Sequence, residues 1–236
     1  NFLYLMNATK ILNFLNYLCH LISFDKDRNF RKKIIAKNNE KNNFYDYGQS
    51  FFYQSMPCIN LKGLRDTKKR INKLKLEKYT NNKIILDIGT NIGSILLNIE
   101  ENYQEAVGIE YNPKLIDIAE MIKVYKKKNR IQFICSDFQS YEFNKSFDII
   151  FSLANHSTFD KGITDTQKYF EKVKKIISSN GMLFLESHAN LYEKPSDFEK
   201  LVDKLKKDFV VLKKGIYNFG NFFDRDRMFY LLKKNN

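Results

Sequence analysis

From residue 83 onward, short apolar runs alternate with longer stretches in which apolar residues recur at helical spacing. The five clearest runs are continuous rather than alternating, and they cover residues 83–88, 105–110, 131–135, 147–153 and 182–186. Continuous apolar strands separated by helices are typical of a parallel sheet with helices on both faces. The helices are predicted to begin near Ile92, Pro113 and Thr164, so the pattern predicts an α/β fold.

Both ends of the chain depart from this alternation. After the fifth strand the pattern predicts a helix over 196–207 and two final strands over 209–212 and 227–232. Residues 2–24 are apolar, and their periodic positions form one helical stripe: Ile11, Leu12, Leu15, Leu18 and Ile22. We expect this helix to pack on its own domain or on a second subunit, which keeps a homodimer open. Residues 25–50 are charged and Asn-rich and are interpreted as a linker or lid, so residues 1–50 form an extension and residues 51–236 the domain proper.

Composition changes this picture little. The formal charge of +13 and the pI of about 9.4 raise the question of nucleic acid or an anionic membrane as partner. Only seven of the 40 basic residues are Arg, however, and the Lys accompany many Asn and Ile, as an AT-rich genome would produce. We therefore favour solvated lysines over a nucleic-acid footprint.

Cysteine usage and hydropathy indicate the compartment. The three cysteines show no metal-binding spacing, so no metal site is predicted, and unpatterned thiols fit a reducing cytoplasm. No transmembrane helix or signal peptide is predicted, because polar residues interrupt the apolar N-terminal stretch.

The first strand runs into a glycine turn that carries the chemistry. Asp87 lies near the end of this strand, and Gly89 and Gly93 follow it. Glycine permits unusual backbone dihedrals and a close approach of a ligand to the main chain. A dinucleotide-binding turn would need glycine where Asn91 and Ser94 stand, so the pattern is D-x-G-x-x-x-G instead.

Acidic residues follow the next two strands. Glu110 ends the second strand roughly 20 residues after Gly89, where an acid can accept hydrogen bonds from both hydroxyls of a ribose. Asp137 follows the third strand and can accept a hydrogen bond from an adenine amino group, while Phe138 packs on the ring. The sequence therefore predicts an adenosine site at the tips of these strands.

With these features in order over roughly residues 83–190, the sequence resembles class I S-adenosylmethionine-dependent methyltransferases. The resemblance implies a three-layer α/β/α Rossmann-like fold with seven mostly parallel strands, the last antiparallel, and an N-terminal helical extension. It also implies S-adenosylmethionine as cofactor and S-adenosylhomocysteine as product. Asn91 departs from the glycine that many members have. Carried over residue by residue, the implied cofactor site comprises Arg65, Asp87, Gly89, Thr90, Asn91, Gly93, Glu110, Tyr111, Asp137, Phe138 and Ser152.

The segment before the first strand, 54–70, resembles the lead-in of bacterial methyltransferases that act on glycans or other polar metabolites. In such enzymes this region folds over the cofactor. The resemblance makes Arg65 a candidate for the cofactor carboxylate, since a planar guanidinium fork suits that task, and a surface arginine is the alternative.

Two histidines are candidates for the general base. His156 follows the fourth strand and His188 the fifth, at the edge where such folds bind the acceptor. We prefer His156, with His188 or Glu186 as helper. The segment Asn155-His156-Ser157-Thr158 lacks the prolines and aromatic of the N/D-P-P-Y/F motif of amino methyltransferases, which favours an oxygen acceptor.

The leading hypothesis is O-methylation of a small polar acceptor, such as a sugar or phosphate-bearing intermediate of a bacterial surface or capsular polysaccharide. The substrate class rests on overall resemblance alone. An RNA methyltransferase, a non-catalytic cofactor-binding subunit and, as the weakest option, an oxidoreductase are the alternatives.

Overall fold

A computed structural model of the chain describes residue 15 and residues 25–40, 52–156, 165–189, 193–219 and 226–235. Its helices are α1 (Arg28–Asn39), α2 (Thr67–Leu74), α3 (Glu77–Thr80), α4 (Pro113–Lys126), α5 (Thr166–Ile176) and α6 (Pro195–Leu205). Its strands are β1 (Ile84–Ile88), β2 (Glu105–Glu110), β3 (Ile131–Cys135), β4 (Phe147–Leu153), β5 (Ile177–Glu186), β6 (Phe209–Tyr217) and β7 (Arg227–Lys234).

The strands form one sheet in the order β3-β2-β1-β4-β5-β7-β6. β1 to β5 pair in parallel, and β7 is antiparallel to both of its neighbours. The predicted seven-stranded Rossmann-like sheet with an antiparallel last strand is thus confirmed. The strand order reverses between β1 and β4, and in open α/β sheets a ligand crevice lies at such a reversal, outside the carboxyl ends of the strands.

Each face of the sheet has its own hydrophobic core, which is why the central parallel strands are mostly apolar. Ile85 points into the core on one face, while Leu86 and Ile88 point into the core on the other. The first core is closed by α2, α4 and the turn segment 91–99, and the second by α5 and α6. All four residues from 85 to 88 are buried as a result.

Three boundaries differ from the prediction. β5 begins at Ile177 rather than at 182, and β6 continues to Tyr217 rather than to 212, because alternating exposure along β6 hides its strand pattern. The segment expected to form a helix near Ile92 forms consecutive turns over 91–98 instead. Its backbone leaves the helical region at Asn91 (φ 56°) and Gly93 (φ 72°), which prevents a regular helix from starting there.

Part of the predicted linker is a packed helix. Within residues 25–50, α1 lies against α4 and buries Ile34 and Arg31, so that this part of the chain belongs to the folded domain. Nζ of Lys114 donates to the carbonyl of Asn38 at 2.9 Å and so satisfies the C-terminal end of α1. Charge-rich composition hid the short apolar stripe of this helix. The domain division at residue 50 stays a prediction.

The predicted N-terminal helix lies outside the described residues except for Leu15, and so does the segment 41–51. No helix in the described part of the chain has the length and hydropathy needed to cross a membrane.

Candidate active site at the carboxyl edge of the sheet

The glycine turn after β1 is held by Asp87. Oγ1 of Thr90 donates to Oδ2 of Asp87 at 2.8 Å, and the backbone N of Thr90 donates to the carbonyl of Ile109 on β2 at 3.0 Å. Burial raises the pKa of Asp87 to about 7, against the lowering effect of the Thr90 hydrogen bond. Asp87 therefore orders the turn from inside the fold, only 3% exposed.

The two glycines of the turn have different surroundings. Both have positive φ, 65° at Gly89 and 72° at Gly93. A Cβ at Gly93 would lie 2.5 Å from Cζ of Phe133, so this glycine permits close packing of the turn against β3. A Cβ at Gly89 would meet Nδ2 of Asn155 at 3.0 Å. The side-chain space is thus filled by protein at both glycines, by Asn155 after β4 at Gly89 and by Phe133 on β3 at Gly93.

Glu110 connects the end of β2 to the glycine turn. Its Oε2 accepts from the backbone N of Asn91 at 3.2 Å, and its Oε1 accepts from the backbone N of Asn112 at 3.1 Å. The residue is 7% exposed. Glu110 therefore fixes the glycine turn and the start of α4 relative to the end of β2.

The residues after β3 divide into surface and core. Asp137 is exposed, and its Oδ2 accepts from the backbone N of Ser140 at 3.0 Å. The ring of Phe138 is buried, 5.1 Å from that of Tyr169, which leaves little of its face for an adenine. Tyr111, half-buried after β2, is the other aromatic that the sequence predicts at the adenine.

Ser152 and Asn155 form a buried hydrogen-bond cluster at the end of β4. Oγ of Ser152 donates to Oδ1 of Asn155 at 2.8 Å and contacts Oη of Tyr169 at 2.8 Å. Nδ2 of Asn155 donates to the carbonyl of Ile88. Ser152 is fully buried, so its side chain supports the crevice from beneath.

The two candidate histidines are joined by a carboxylate that sequence reasoning missed. Nε2 of His156 lies 2.9 Å from Oε1 of Glu193, while the backbone N of His188 donates to Oε2 of the same residue at 2.7 Å. The two imidazole rings are 5.4 Å apart. Glu193 stands in the loop before α6, five residues after His188, and no motif marks it.

The histidines differ in exposure. His156 is completely buried, with its ring centre 5.5 Å from that of Phe198 on α6. His188 is half-buried, and burial, followed by the charge of His156, lowers its pKa to about 3. His188 is therefore neutral at physiological pH and nearer to the surface of the site.

Glu186 belongs to a different cluster from the histidines. Its Oε1 lies 2.7 Å from Nη2 of Arg70 and 3.5 Å from Nη1 of Arg227, and its Oε2 accepts from Oη of Tyr217. The side chains of Arg70, Glu186 and Arg227 are at most 2% exposed. The carboxylate that contacts His156 is thus Glu193, whereas Glu186, the predicted helper, binds two arginines.

The lead-in segment lies against the glycine turn. The guanidinium carbon of Arg65 lies 4.0 Å from the ring centre of Tyr53. Arg65 also pairs with Gln54 in an isolated parallel bridge, and Oε1 of Gln54 accepts from Oγ of Ser94. The lead-in segment is therefore packed against the turn that follows β1, and its predicted role over the cofactor stays a prediction.

No metal site is found in the part of the chain that the structure describes, since no three His, Cys, Asp or Glu residues lie close enough to hold an ion.

Comparison with known proteins identifies the class of protein to which this fold belongs. The model of the methyltransferase domain family matches residues 79–232, and the chain belongs to this family. Its cofactor is S-adenosylmethionine, and the chain is an S-adenosylmethionine-dependent methyltransferase. No curated protein matches the sequence.

Solved structures share the fold at low sequence identity. The N-methyltransferase NodS from Bradyrhizobium japonicum WM9, solved with S-adenosyl-L-homocysteine, aligns with a TM-score of 0.59 at 14% identity over 72% of this chain and 87% of its own. The M. jannaschii tRNA m1G37 methyltransferase aligns with 0.54 at 18% identity, over 70% of this chain and 49% of its own. The [4+2]-cyclase SpnF aligns with 0.57 at 14% identity, over 69% and 80%.

The residues at the crevice fit the cofactor. Glu110 offers a buried carboxylate at the end of β2, and Gly89 has the positive φ that the turn after β1 requires. Asp137 offers a second, exposed carboxylate after β3.

Proposed function

We propose that this chain transfers the methyl group of S-adenosylmethionine to an oxygen of a small polar acceptor, such as a sugar or a phosphate-bearing glycan intermediate. The observation that carries the proposal is the His156–Glu193–His188 arrangement at the ends of β4 and β5, beside the cofactor crevice. A hydroxyl acceptor must lose a proton during transfer, and an imidazole at this edge can take it.

The cofactor supplies a methyl group already activated on a sulfonium. Glu110 accepts hydrogen bonds from the two ribose hydroxyls, and Asp137 accepts one from the adenine amino group. Gly89 lets the main chain approach the methionine part, and Asp87 keeps the turn in place through Thr90. Because the donor needs no further activation, the main task of the protein is to align the acceptor oxygen.

His188 is the proton acceptor in this proposal. It is half-buried, and its lowered pKa of about 3 keeps the imidazole neutral and able to accept a proton. As the new bond between oxygen and carbon forms, the hydroxyl proton becomes strongly acidic, so a weak base is sufficient late in the transfer. Glu193 accepts a hydrogen bond from the backbone N of His188 and contacts the ring of His156. Glu193 and His156 both act as positioning residues.

The surroundings of Asn155 favour oxygen over nitrogen as acceptor. Its amide nitrogen donates to the carbonyl of Ile88, and its amide oxygen accepts from Ser152 and Tyr169. An asparagine engaged in this way is poorly disposed to receive an amino group. The likeness to NodS, an N-methyltransferase, is a likeness of fold.

An RNA acceptor is the second candidate. The formal charge of +13 and the likeness to a tRNA methyltransferase support it. Binding of RNA that weakens steeply with salt would favour this candidate over a glycan. A cytoplasmic location and a homodimer remain predictions.

The test is a transfer assay with methyl-labelled S-adenosylmethionine on nucleotide sugars, phosphorylated sugars, amines and RNA. We expect label on a sugar hydroxyl. We expect His188→Gln to lower kcat by about 10²–10⁴-fold, the usual contribution of a general base, without weakening S-adenosylhomocysteine binding. The matched control is Glu120→Gln on the surface of α4. Label on RNA or an amine alone, or full activity in His188→Gln, would contradict the proposal.

A further inference from the structure

The loop that follows β3 is closed on itself by Asp137. The carbonyl of Asp137 accepts from the backbone N of Tyr141 at 3.1 Å, and its Oδ2 accepts from the backbone N of Ser140 at 3.0 Å. Oγ of Ser140 donates to the same carbonyl at 3.2 Å. Residues 137–141 therefore form one compact turn, and the backbone of this turn orients the carboxylate of Asp137.

Lys172 on α5 binds the other end of this turn. Its Nζ donates to the carbonyl of Gln139 at 2.9 Å and to the carbonyl of Tyr141 at 2.6 Å. The same Nζ lies 5.4 Å from the ring centre of Phe138, and the side chain of Lys172 is only 11% exposed. As at the end of a helix, a lysine here binds the last carbonyls, which have no partner within the turn. One partly buried ammonium group therefore fixes the turn to α5.

The same face of α5 also contacts the end of β4. Tyr169 precedes Lys172 by three residues, so both side chains lie on one face of the helix. Oη of Tyr169 donates to Oδ1 of Asn155 at 3.0 Å and contacts Oγ of Ser152 at 2.8 Å. The ring of Phe138 lies 5.1 Å from the ring of Tyr169. This face of α5 thus fixes the turn after β3 relative to the end of β4.

We propose that Lys172 is a positioning residue for adenine recognition, because it holds the turn 137–141 where the carboxylate of Asp137 meets the adenine amino group. The inference rests on the proposed function, in which Asp137 accepts from that amino group. Lys172 acts through the turn rather than on the cofactor, since it donates to two main-chain carbonyls of the turn. A hydrogen bond weakens steeply when its geometry is poor, so displacement of the turn affects the amino group most.

The test compares S-adenosylhomocysteine with its deaminated analogue S-inosylhomocysteine, in which a ring carbonyl replaces the amino group. The affinity of the full chain for each ligand is measured by calorimetry in the wild type, Lys172→Met and Lys172→Arg. Met keeps an aliphatic side chain beside Phe138 but cannot donate, whereas Arg keeps a cation with several donors. The matched control is Lys175→Met on the same helix. The side chain of Lys175 is 75% exposed and lies 3.7 Å from Glu142, which Lys172 also approaches, at 3.9 Å.

We expect the wild type to bind S-adenosylhomocysteine at least about tenfold more tightly than the analogue, because a hydrogen bond to a charged acceptor contributes that much. Lys172→Met should reduce this ratio to about threefold or less by weakening the binding of S-adenosylhomocysteine. Lys175→Met should leave the ratio unchanged, and Lys172→Arg should retain most of it. Lys172→Gln, which is too short to reach both carbonyls, provides the comparison if Lys172→Met fails to fold.

Two results would overturn the proposal for Lys172 alone. One is a ratio in Lys172→Met equal to that of the wild type, and the other is an equal loss of affinity for both ligands, which indicates a purely structural role. A wild type that does not distinguish the ligands would overturn the proposal together with the adenine role of Asp137. Methyl transfer to an oxygen is tested by the labelled-methyl assay, so its failure is seen there alone.

Discussion

The buried carboxylate of Glu186 provides a sharp test of what the end of β5 does. We consider Glu186→Gln, which keeps the size of the side chain and an oxygen to accept from Tyr217 but removes the negative charge. Arg70 and Arg227 would then lose the carboxylate that they share, at positions where water has almost no access.

The magnitude follows from burial. Removing one partner of a buried ion pair costs about 3–5 kcal/mol, because the remaining charge stays desolvated. In a domain of this size such a loss lowers Tm by roughly 6–20 °C. The matched control is Glu120→Gln: Glu120 pairs with Lys123 on α4, with side chains 38% and 23% exposed, and we expect a loss below about 1 kcal/mol.

The assay is urea unfolding monitored by circular dichroism. The free energies of unfolding of both variants are compared with that of the wild type, provided that the dependence on urea concentration is the same. The double variant Arg70→Met/Glu186→Met, which removes two opposite charges, should recover part of the loss. If Glu186→Gln is as stable as Glu120→Gln, the ion pairs of Glu186 do not stabilise the fold. Glu186 would then again be a candidate for the predicted role of helper to the general base.

Three further predictions concern the cofactor, the pH and the glycine turn. Glu110→Gln should weaken S-adenosylhomocysteine binding at least about tenfold in calorimetry because the ribose loses an ionised acceptor, and unchanged affinity would exclude that role. Burial lowers the pKa of His188 from 6.5 to about 3, so the unfolded chain binds the proton first as pH falls. This group therefore costs stability between pH 6.5 and about 3, at most about 5 kcal/mol, and stability is regained as pH rises. His188→Gln should flatten the pH profile of unfolding in that window, and parallel profiles would contradict the shift. Gly93→Ala should cost about 1–3 kcal/mol in thermal unfolding because its Cβ would meet Phe133, whereas a neutral effect would mean that the turn relaxes freely.

The centre of the sheet could be predicted because β1, β2 and β4 are buried on both faces. The boundaries of β2, β3 and β4 match the sequence prediction, since continuous apolar runs end where the chain leaves the interior. β6 was predicted too short because it forms an edge of the sheet, and exposed residues such as Val210 and Ile216 alternate there with others that pack inward. Pattern alone does not separate such a strand from a loop.

The candidate site was predictable only where one strand end specifies one residue. Glu110 and Asp137 follow directly from the positions at which parallel strands end. Glu193 comes from a loop and Arg70 from a helix before the sheet. Glu193 lies 37 residues from His156 along the chain, and Arg70 lies 116 residues from Glu186. A short sequence motif cannot predict such contacts, because they form only when α2 and the loop before α6 pack against the sheet.

The ion pair between Arg70 and Glu186 connects α2 to the carboxyl end of β5. The family match begins at residue 79, nine positions after Arg70. A fragment limited to the matched region would lack Arg70 and leave Glu186 with Arg227 alone. We therefore expect such a fragment to unfold at a lower temperature than the whole chain.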